Sequence, residues 1–374
     1  GHCKLPMGGT GFSCPSYERF HLETYSPGGM MRLINGILCK DINWSESIAK
    51  ISYSCTACKN CVENCRIHQW RAKKGKNFPA PWEIMRAARE ELVERALVPP
   101  KVRDFLENVH RKGNPYGEPR EKRGDWAEGT GIKKYEKGDE FLYYVGCVGS
   151  YDTRSQDAAK ALGEVLKDSG LSFGIFGEEE VCDGNEVNML GEKGLFDLLA
   201  QENVKKFKDI WVKKIVTLSP HSYNAFKNYY PIEVYHYTQL LRGMINDGRL
   251  DLSKGFNAKV TYHDPCFLGR HNNEYDAPRE ILKAIPGLEL VEMGRIRENA
   301  FCCGGGGGNF YTDLLGGDMS SPARIRVKEA QDTGAEVLAV ACPICLTMLE
   351  DAVKVEGLED RLVVKDISEV VREA

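Results

Sequence analysis

Cys55, Cys58, Cys61 and Cys65 follow one another at intervals of three, three and four residues. Thiolates at that spacing wrap a cubane iron–sulfur cluster corner by corner, while the fourth reaches toward a neighbouring cluster. Cys14-Pro15 reads as the end of a partner run, so Cys14, Cys55, Cys58 and Cys61 are expected to hold one [4Fe–4S] cluster. Cys3 and Cys65 would serve a second cubane, which is two ligands short in this chain. A second set comprises Cys266, the pair Cys302-Cys303, and Cys342-x2-Cys345. Five thiolates from three segments exceed what one four-coordinate metal needs. Zinc is a poor match for the first set as well, because its sites usually join two separated CxxC knuckles.

The five glycines 304–308 follow the Cys-Cys pair directly. Gly304 and Gly305 are expected to bring backbone N–H groups close to cluster sulfurs, since glycine permits close approach and positive φ. The run is not a P-loop, because no Gly-Lys-Ser/Thr follows, and no strand leads into a G-x-G-x-x-G dinucleotide fingerprint. A flavin or nicotinamide would then sit on a partner subunit. His263, His271 and Asp264 flank Cys266. His263 is the candidate proton donor to a departing thiolate, weighed equally against a structural histidine at a strand end. Arg295 and Arg297 precede the Cys-Cys pair and read either as anchors for an anionic substrate or as solvated loop charges.

These residues sit in a chain of 374 residues with 14 cysteines and a net charge of −4. A core of that size needs no disulfide staples, so tight cysteine spacing points to metal ligation in a reducing compartment. The acidic balance excludes a nucleic-acid binder with a broad basic footprint. No apolar run has bilayer-spanning length, the nearest being 337–349, so no transmembrane segment is expected. Residues 1–14 are polar and glycine-rich, unlike a signal peptide, and the absence of an initiator Met leaves room for an upstream segment. The expected location is cytoplasmic, at the periphery of a membrane complex.

The positioning elements follow from periodicity. Residues 30–38 and 80–111 read as helical, with Cys39 as a core cysteine, and 112–138 as a linker or surface loop. From residue 140 onward short strands alternate with helices: strands at 141–145, 214–218, 233–236, 259–263, 335–339 and 362–364, and helices at 155–168, from 221, 238–244, 278–284, 344–353 and 367–373. That alternation predicts parallel α/β layers. Cys147, Cys182 and Ser219 recur as Cys266, Cys302 and Cys342 at offsets of 119, 120 and 123 residues, which marks an internal duplication. The expected architecture is α+β and α/β: residues 1–111 as a helical cluster-binding domain, 112–138 as linker, and 139–256 and 257–374 as two duplicated α/β lobes with parallel sheets.

The motifs Tyr262-His263-Asp264-Pro265-Cys266, Phe301-Cys302-Cys303-Gly304 and Ala341-Cys342-Pro343-Ile344-Cys345 resemble the cysteine-rich CCG domain family. With the ferredoxin-like N-terminal run, nearly the whole chain is similar to the D-type subunit of heterodisulfide reductases, whose relatives include iron–sulfur subunits of glycolate and lactate oxidases and of benzoyl-coenzyme A reductase complexes. The resemblance implies that Cys266, Cys302, Cys303, Cys342 and Cys345 bind a non-cubane [4Fe–4S] cluster. It also implies disulfide cleavage there by one-electron steps, with Cys302 and Cys303 at the reacting centre. The first lobe departs from the pattern: Asp183 replaces one cysteine of the pair, and Ser219 and Ser222 replace the CxxC. Hydroxyls are poor iron ligands, so no second non-cubane cluster is expected. Cys147, Cys182, Asp183 and His221 could bind zinc, but packing cysteines are the better reading.

The leading expectation is a redox subunit in which cubanes feed electrons to the second-lobe cluster, which reduces a small disulfide or related sulfur substrate. Its donors would be other redox subunits, flavin-containing or membrane-bound. The alternatives are a pure electron-transfer subunit and a zinc or redox-sensing scaffold. An open cleft at Cys302 and Cys303 would favour sulfur chemistry there, and a sealed cage would favour transfer alone.

Overall fold

Strands β1 (Phe141–Tyr144) and β7 (Val337–Val340) are buried at all four positions, as apolar runs in a parallel sheet covered on both faces must be. The computed structural model describes residues 11–65, 67, 68, 70, 74 and 79–374. Its first sheet contains β1, β2 (Phe173–Gly174), β3 (Lys214–Thr217) and β4 (Glu233–His236), all parallel, in the order β2-β1-β3-β4. Its second contains β5 (Ala258–Tyr262), β6 (Leu288–Val291), β7 and β8 (Val363–Asp366), all parallel, in the order β6-β5-β7-β8. The two sheets repeat one topology, as the duplicated motifs predict.

In each sheet the strand order reverses between the two central strands. Ligands in open α/β sheets bind outside the carboxyl ends of strands at such a switch point. Cys147 and Ser219 follow β1 and β3; Cys266 and Cys342 follow β5 and β7. Ser219 and Cys342 each stand at the N-cap of a helix with proline in its first turn, Pro220–Tyr229 and Pro343–Val355.

The lobes share one core. Val216 and Tyr143 of the first sheet and Val260 and Ala339 of the second belong to the same buried cluster, with helices Thr153–Asp168 and Ile367–Glu373 between them. Arg154 crosses the seam and donates to both oxygens of Glu369 at 2.8 Å, and to the carbonyl of Val364 at 3.0 Å. Tyr237 of the first lobe donates to Asp366 of the second at 2.7 Å.

Asp366 makes that seam pH-sensitive. Its Oδ1 also accepts from the N–H and hydroxyl of Ser368, while Oδ2 is buried without a partner. Burial raises its carboxyl to about 7, against roughly 4 in an unfolded chain. Between those values the folded chain keeps a proton that the unfolded chain has lost. Stability therefore falls as pH rises from roughly 4 to 7 and stays reduced above it. Asp366→Asn is expected to flatten this slope by on the order of 2 kcal/mol. Denaturant midpoints at pH 5 and pH 8 check this; an unchanged slope overturns it.

Three expectations are revised. The helical stretch 80–111 is two helices, Pro81–Glu94 and Pro100–Lys112, because Pro99 and Pro100 break the ladder. Residues 112–138 are not merely a surface loop: a 3₁₀ segment, Arg120–Ala127, buries Trp126 in the shared core and Arg123 against Glu180. Cys39 is exposed, not core; it caps the end of helix Pro27–Leu38, whose last residue is also uncovered. Strands β2 and β6 and the helix Lys193–Asp209 carry no signal strong enough to be read from the sequence alone. Among the described residues no helix is long and apolar enough to cross a membrane.

Candidate functional site

The N-terminal cysteines are gathered by two segments tied together. Cys14 precedes helix Pro15–Phe20, and Cys55 follows the end of helix Glu46–Tyr53. Asn60 donates to the carbonyl of Ser13 at 2.7 Å, and the hydroxyls of Ser16 and Ser54 lie 2.6 Å apart. Between Cys55 and Cys61 the chain takes left-handed turns at Ala57 (φ 52°) and Lys59 (φ 62°), which coil it around a centre. The resulting cavity is lined by Cys14, Cys55, Cys58 and Cys61, with Met30 and Trp82 among its apolar walls. Four sulfurs around an apolar space are a donor set for a soft metal cluster. Cys65 does not line this cavity; its sulfur accepts from the N–H of His68 at 3.4 Å. Cys3 lies outside the described residues.

The second-lobe cysteines also meet. Cys303 and Cys345 sulfurs lie 3.4 Å apart. Cys266 and Cys302 share one buried cluster, and Cys303, Cys342 and Cys345 another. All five are buried, none more than 6% exposed. The N–H of Gly304 donates to Cys302 Sγ at 3.4 Å, and that of Gly305 bonds to Cys303. Cys342 stands at a helix N-terminus. Burial pushes its thiol up, but bonds to Cys345 and His221 win and bring it down to about 5.

The two cysteine sets are in direct contact, which the sequence alone did not disclose. Cys58, Cys266 and Cys302 share one buried cluster, and Cys302 Sγ lies 3.9 Å from Thr56 Oγ1. The glycine run makes the approach possible. A Cβ on Gly306 would lie 2.7 Å from the carbonyl oxygen of Thr56, and one on Gly307, at φ +63°, 2.7 Å from that of Cys55. Arg89 from helix Pro81–Glu94 is fully buried and pins the junction. It donates to the carbonyls of Ser52 (2.7 Å), Cys55 (2.5 Å), Met189 (2.8 Å) and Gly307 (3.5 Å). From the other side Arg270 donates to the Cys58 carbonyl at 2.6 Å, and His271 Nε2 bonds to Ala57 O at 2.8 Å. Neither arginine was singled out by sequence reasoning, since an isolated Arg in a helical stretch reads as solvated.

The flanking residues have mostly structural bonds. His263 Nδ1 accepts from Arg326 at 3.1 Å, which leaves Nε2 as the N–H. Burial, with Arg326 nearby, lowers its pKa to about 3, so the ring is neutral near pH 7. Ligand atoms of His263, Cys303 and Cys345 lie within 4.8 Å of one another. Asp264 forms a two-pronged pair with Arg279 at 2.6 and 2.9 Å. Arg295 is buried over the Phe301 ring and donates to Phe12 O at 2.7 Å, while Arg297 pairs with Asp276 at the surface.

In the first lobe Asp183 accepts from Ser222 at 2.8 Å and from the N–H of Asn185 at 2.8 Å. His221 Nδ1 bonds to Glu186, which also accepts from the N–H of Gly308. With Asp183 and His221 so engaged, Cys147, Cys182, Asp183 and His221 are not gathered as a metal set among the described residues.

Comparison with known proteins places these features. The cysteine-rich domain model named CCG matches residues 141–227 and 260–350. The chain is 36% identical over 354 residues to a probable iron–sulfur-binding oxidoreductase, FadF, of Bacillus subtilis, covering 91% of this chain and 48% of that protein. It is 35% identical to the EtfAB:quinone oxidoreductase of Syntrophomonas wolfei, covering 90% and 48% respectively. It is 34% identical to the D-type subunit of the dihydromethanophenazine:CoB–CoM heterodisulfide reductase of Methanosarcina mazei, covering 86% of this chain and 77% of that protein. The chain thus spans about half the length of the first two, at 48% of each.

Proposed function

The chain belongs to the cysteine-rich CCG-domain family of iron–sulfur oxidoreductases that includes the D-type subunit of heterodisulfide reductase, and on that basis we propose that it is an electron-transfer subunit. In this reading Cys14, Cys55, Cys58 and Cys61 hold a cubane, Cys65 with Cys3 serves a second, and Cys266, Cys302, Cys303, Cys342 and Cys345 hold a non-cubane cluster. When bound, these clusters supply one-electron carriers. The observation that carries the proposal is the buried cluster that Cys58 shares with Cys266 and Cys302, which brings the two sulfur sets together at one junction.

The protein's own groups have defined roles here. Gly304 and Gly305 donate N–H groups to sulfur, which favours a more negative cluster. Arg89 and Arg270 set positive charge beside both sets and fix their separation. Neutral His263, bonded at Nδ1 to Arg326, is a positioning residue for Cys303 and Cys345 rather than a proton shuttle. Burial of all five cage sulfurs excludes bulk water and a free thiol alike, and so favours transfer over disulfide reduction at Cys302 and Cys303. The intact five-cysteine set keeps disulfide reduction as the second reading.

The relative named EtfAB:quinone oxidoreductase suggests a flavin-containing donor and a quinone acceptor for this chain. Anaerobic iron and sulfide analysis with EPR of the oxidised protein tests the proposal. About eight iron per chain, or about twelve with both cubanes, and a signal indifferent to added thiols are expected. A thiol-dependent signal would replace transfer with disulfide reduction. Stoichiometric zinc with little iron would overturn both.

A further inference from the structure

In the first lobe, polar side chains stand where the second lobe has thiolates. Asp183 takes the place of Cys303, and Ser219 and Ser222 those of Cys342 and Cys345. With Asn185, Glu186, His221 and Asn224 they are buried. They form one network. Asp183 accepts from Ser222 and from the N–H of Asn185, each at 2.8 Å. Asn185 donates to Glu186 Oε1 at 2.8 Å and accepts from Asn224 at 2.9 Å. His221 Nδ1 donates to the same Glu186 oxygen at 2.5 Å.

The network leaves the first lobe at two points, and both lie beside the second-lobe cysteines. Glu186 Oε2 accepts from the N–H of Gly308, the last glycine of the run. The same run opens with the Gly304 N–H that donates to Cys302 Sγ at 3.4 Å. On the other side Asn224 accepts from Asn272 at 3.1 Å, and Asn272 donates to the carbonyl of Phe267 at 2.7 Å. The His221 ring packs on Phe267 with centroids 4.2 Å apart, and Phe267 directly follows Cys266. A glycine run has no side chains to fix it, so its aim at sulfur depends on what holds its backbone. At Gly308 that anchor is a carboxylate from the other lobe, and charge-assisted bonds are roughly twice as strong as neutral ones. Groups that orient metal ligands from outside commonly decide metal affinity.

We propose that the first lobe, which lacks a full ligand set of its own, serves as the outer support of the second-lobe cluster, with Glu186 and His221 as positioning residues. Glu186 anchors Gly308 and so aims the glycine N–H groups at sulfur. His221 holds Glu186 in place and packs against the segment after Cys266. This role rests on the reading that Cys266, Cys302, Cys303, Cys342 and Cys345 hold a cluster. Its sign is distinctive. A bare negative charge at Glu186 makes a nearby cluster harder to reduce, whereas well-aimed N–H donors favour the more negative, reduced state. Loss of Glu186 therefore raises the potential if the residue acts as a charge, and lowers it if the residue acts by positioning.

The test is an EPR-monitored redox titration of the full chain, purified anaerobically, with iron measured per chain. The second-lobe signal is the one that Cys302→Ser removes. Glu186→Ala is expected to lower the midpoint potential of that signal and change its shape, while the N-terminal cluster keeps its potential. Glu186→Gln retains an acceptor for Gly308 without the charge, and should stand close to the unsubstituted chain. His221→Phe keeps a ring on Phe267 but loses the bond to Glu186. It should shift the potential in the same direction by less, and it carries the test if Glu186→Ala does not fold. A potential unmoved or raised in Glu186→Ala, or displaced equally in Glu186→Gln, would overturn the positioning role. If Cys302→Ser removes no signal, the cluster reading fails and this role fails with it; a second-lobe signal that neither Glu186→Ala nor His221→Phe moves sinks this role alone.

Discussion

Arg89→Met is expected to lower the thermal midpoint sharply and to loosen the junction between the two cysteine sets. The guanidinium is fully buried, stacks over Tyr53, and satisfies four carbonyls from three segments of chain. Methionine fills the volume but donates nothing, leaving carbonyls of Ser52, Cys55 and Met189 without this donor. Each such group costs about 1–3 kcal/mol, so a total loss of roughly 3 kcal/mol or more is expected. Arg89 also supplies positive charge beside Cys55, which offsets part of the burial that pushes that thiol up. Its loss should make the N-terminal cluster harder to reduce. Arg89→Lys keeps the charge but not the fork, and should restore the potential more than the midpoint. Circular dichroism melts and an EPR-monitored redox titration read the two effects separately. A variant with unchanged midpoint and unchanged potential would remove Arg89 from the junction.

Cys302→Ser is expected to remove about four iron per chain, the content of one [4Fe–4S] cluster. Cys302 packs with Cys58 and Cys266 in one buried cluster, so it stands between the two sets. A hydroxyl at that position is a poor iron ligand. The N-terminal iron should persist, because the Cys14, Cys55, Cys58 and Cys61 cavity is built from other segments. Cys147→Ser and Cys182→Ser should leave iron unchanged and serve as controls. Iron and acid-labile sulfide per chain check this. Full iron retention in Cys302→Ser would remove it from the ligand set, and parallel loss in Cys147→Ser would give the first lobe a cluster after all.

The local part of this protein is written in residue types and spacing. Strand and helix alternation after residue 140 follows from short apolar runs separated by amphipathic stretches, and β4 and helix Ile367–Glu373 fall at their expected bounds. Duplication was legible because three chemical landmarks recur at nearly one offset, and the sheets repeat one strand order accordingly. The weaker elements were not legible. β2 has two residues, and β6 carries Glu289 in a half-covered edge, so neither makes a hydrophobic run. Trp126 and Arg123 were hidden in a charged segment because burial of an ion pair depends on Glu180, far along the chain.

Residue identity and spacing were enough for the cysteine inventory, its grouping into two sets, and the loss of ligands in the first lobe, because ligand chemistry is a property of side chains and the intervals between them. The folded molecule was needed to show that Cys58 and Cys302 share one buried cluster, that Arg89 and Arg270 clamp the two sets, and that His263 takes a hydrogen bond from Arg326. It was needed too for the approach of Arg123 to Cys147. Those outcomes rest on burial and on bonds between residues tens to hundreds of positions apart. No local pattern encodes such contacts, because desolvation and hydrogen bonding are set by whichever segments the fold brings together.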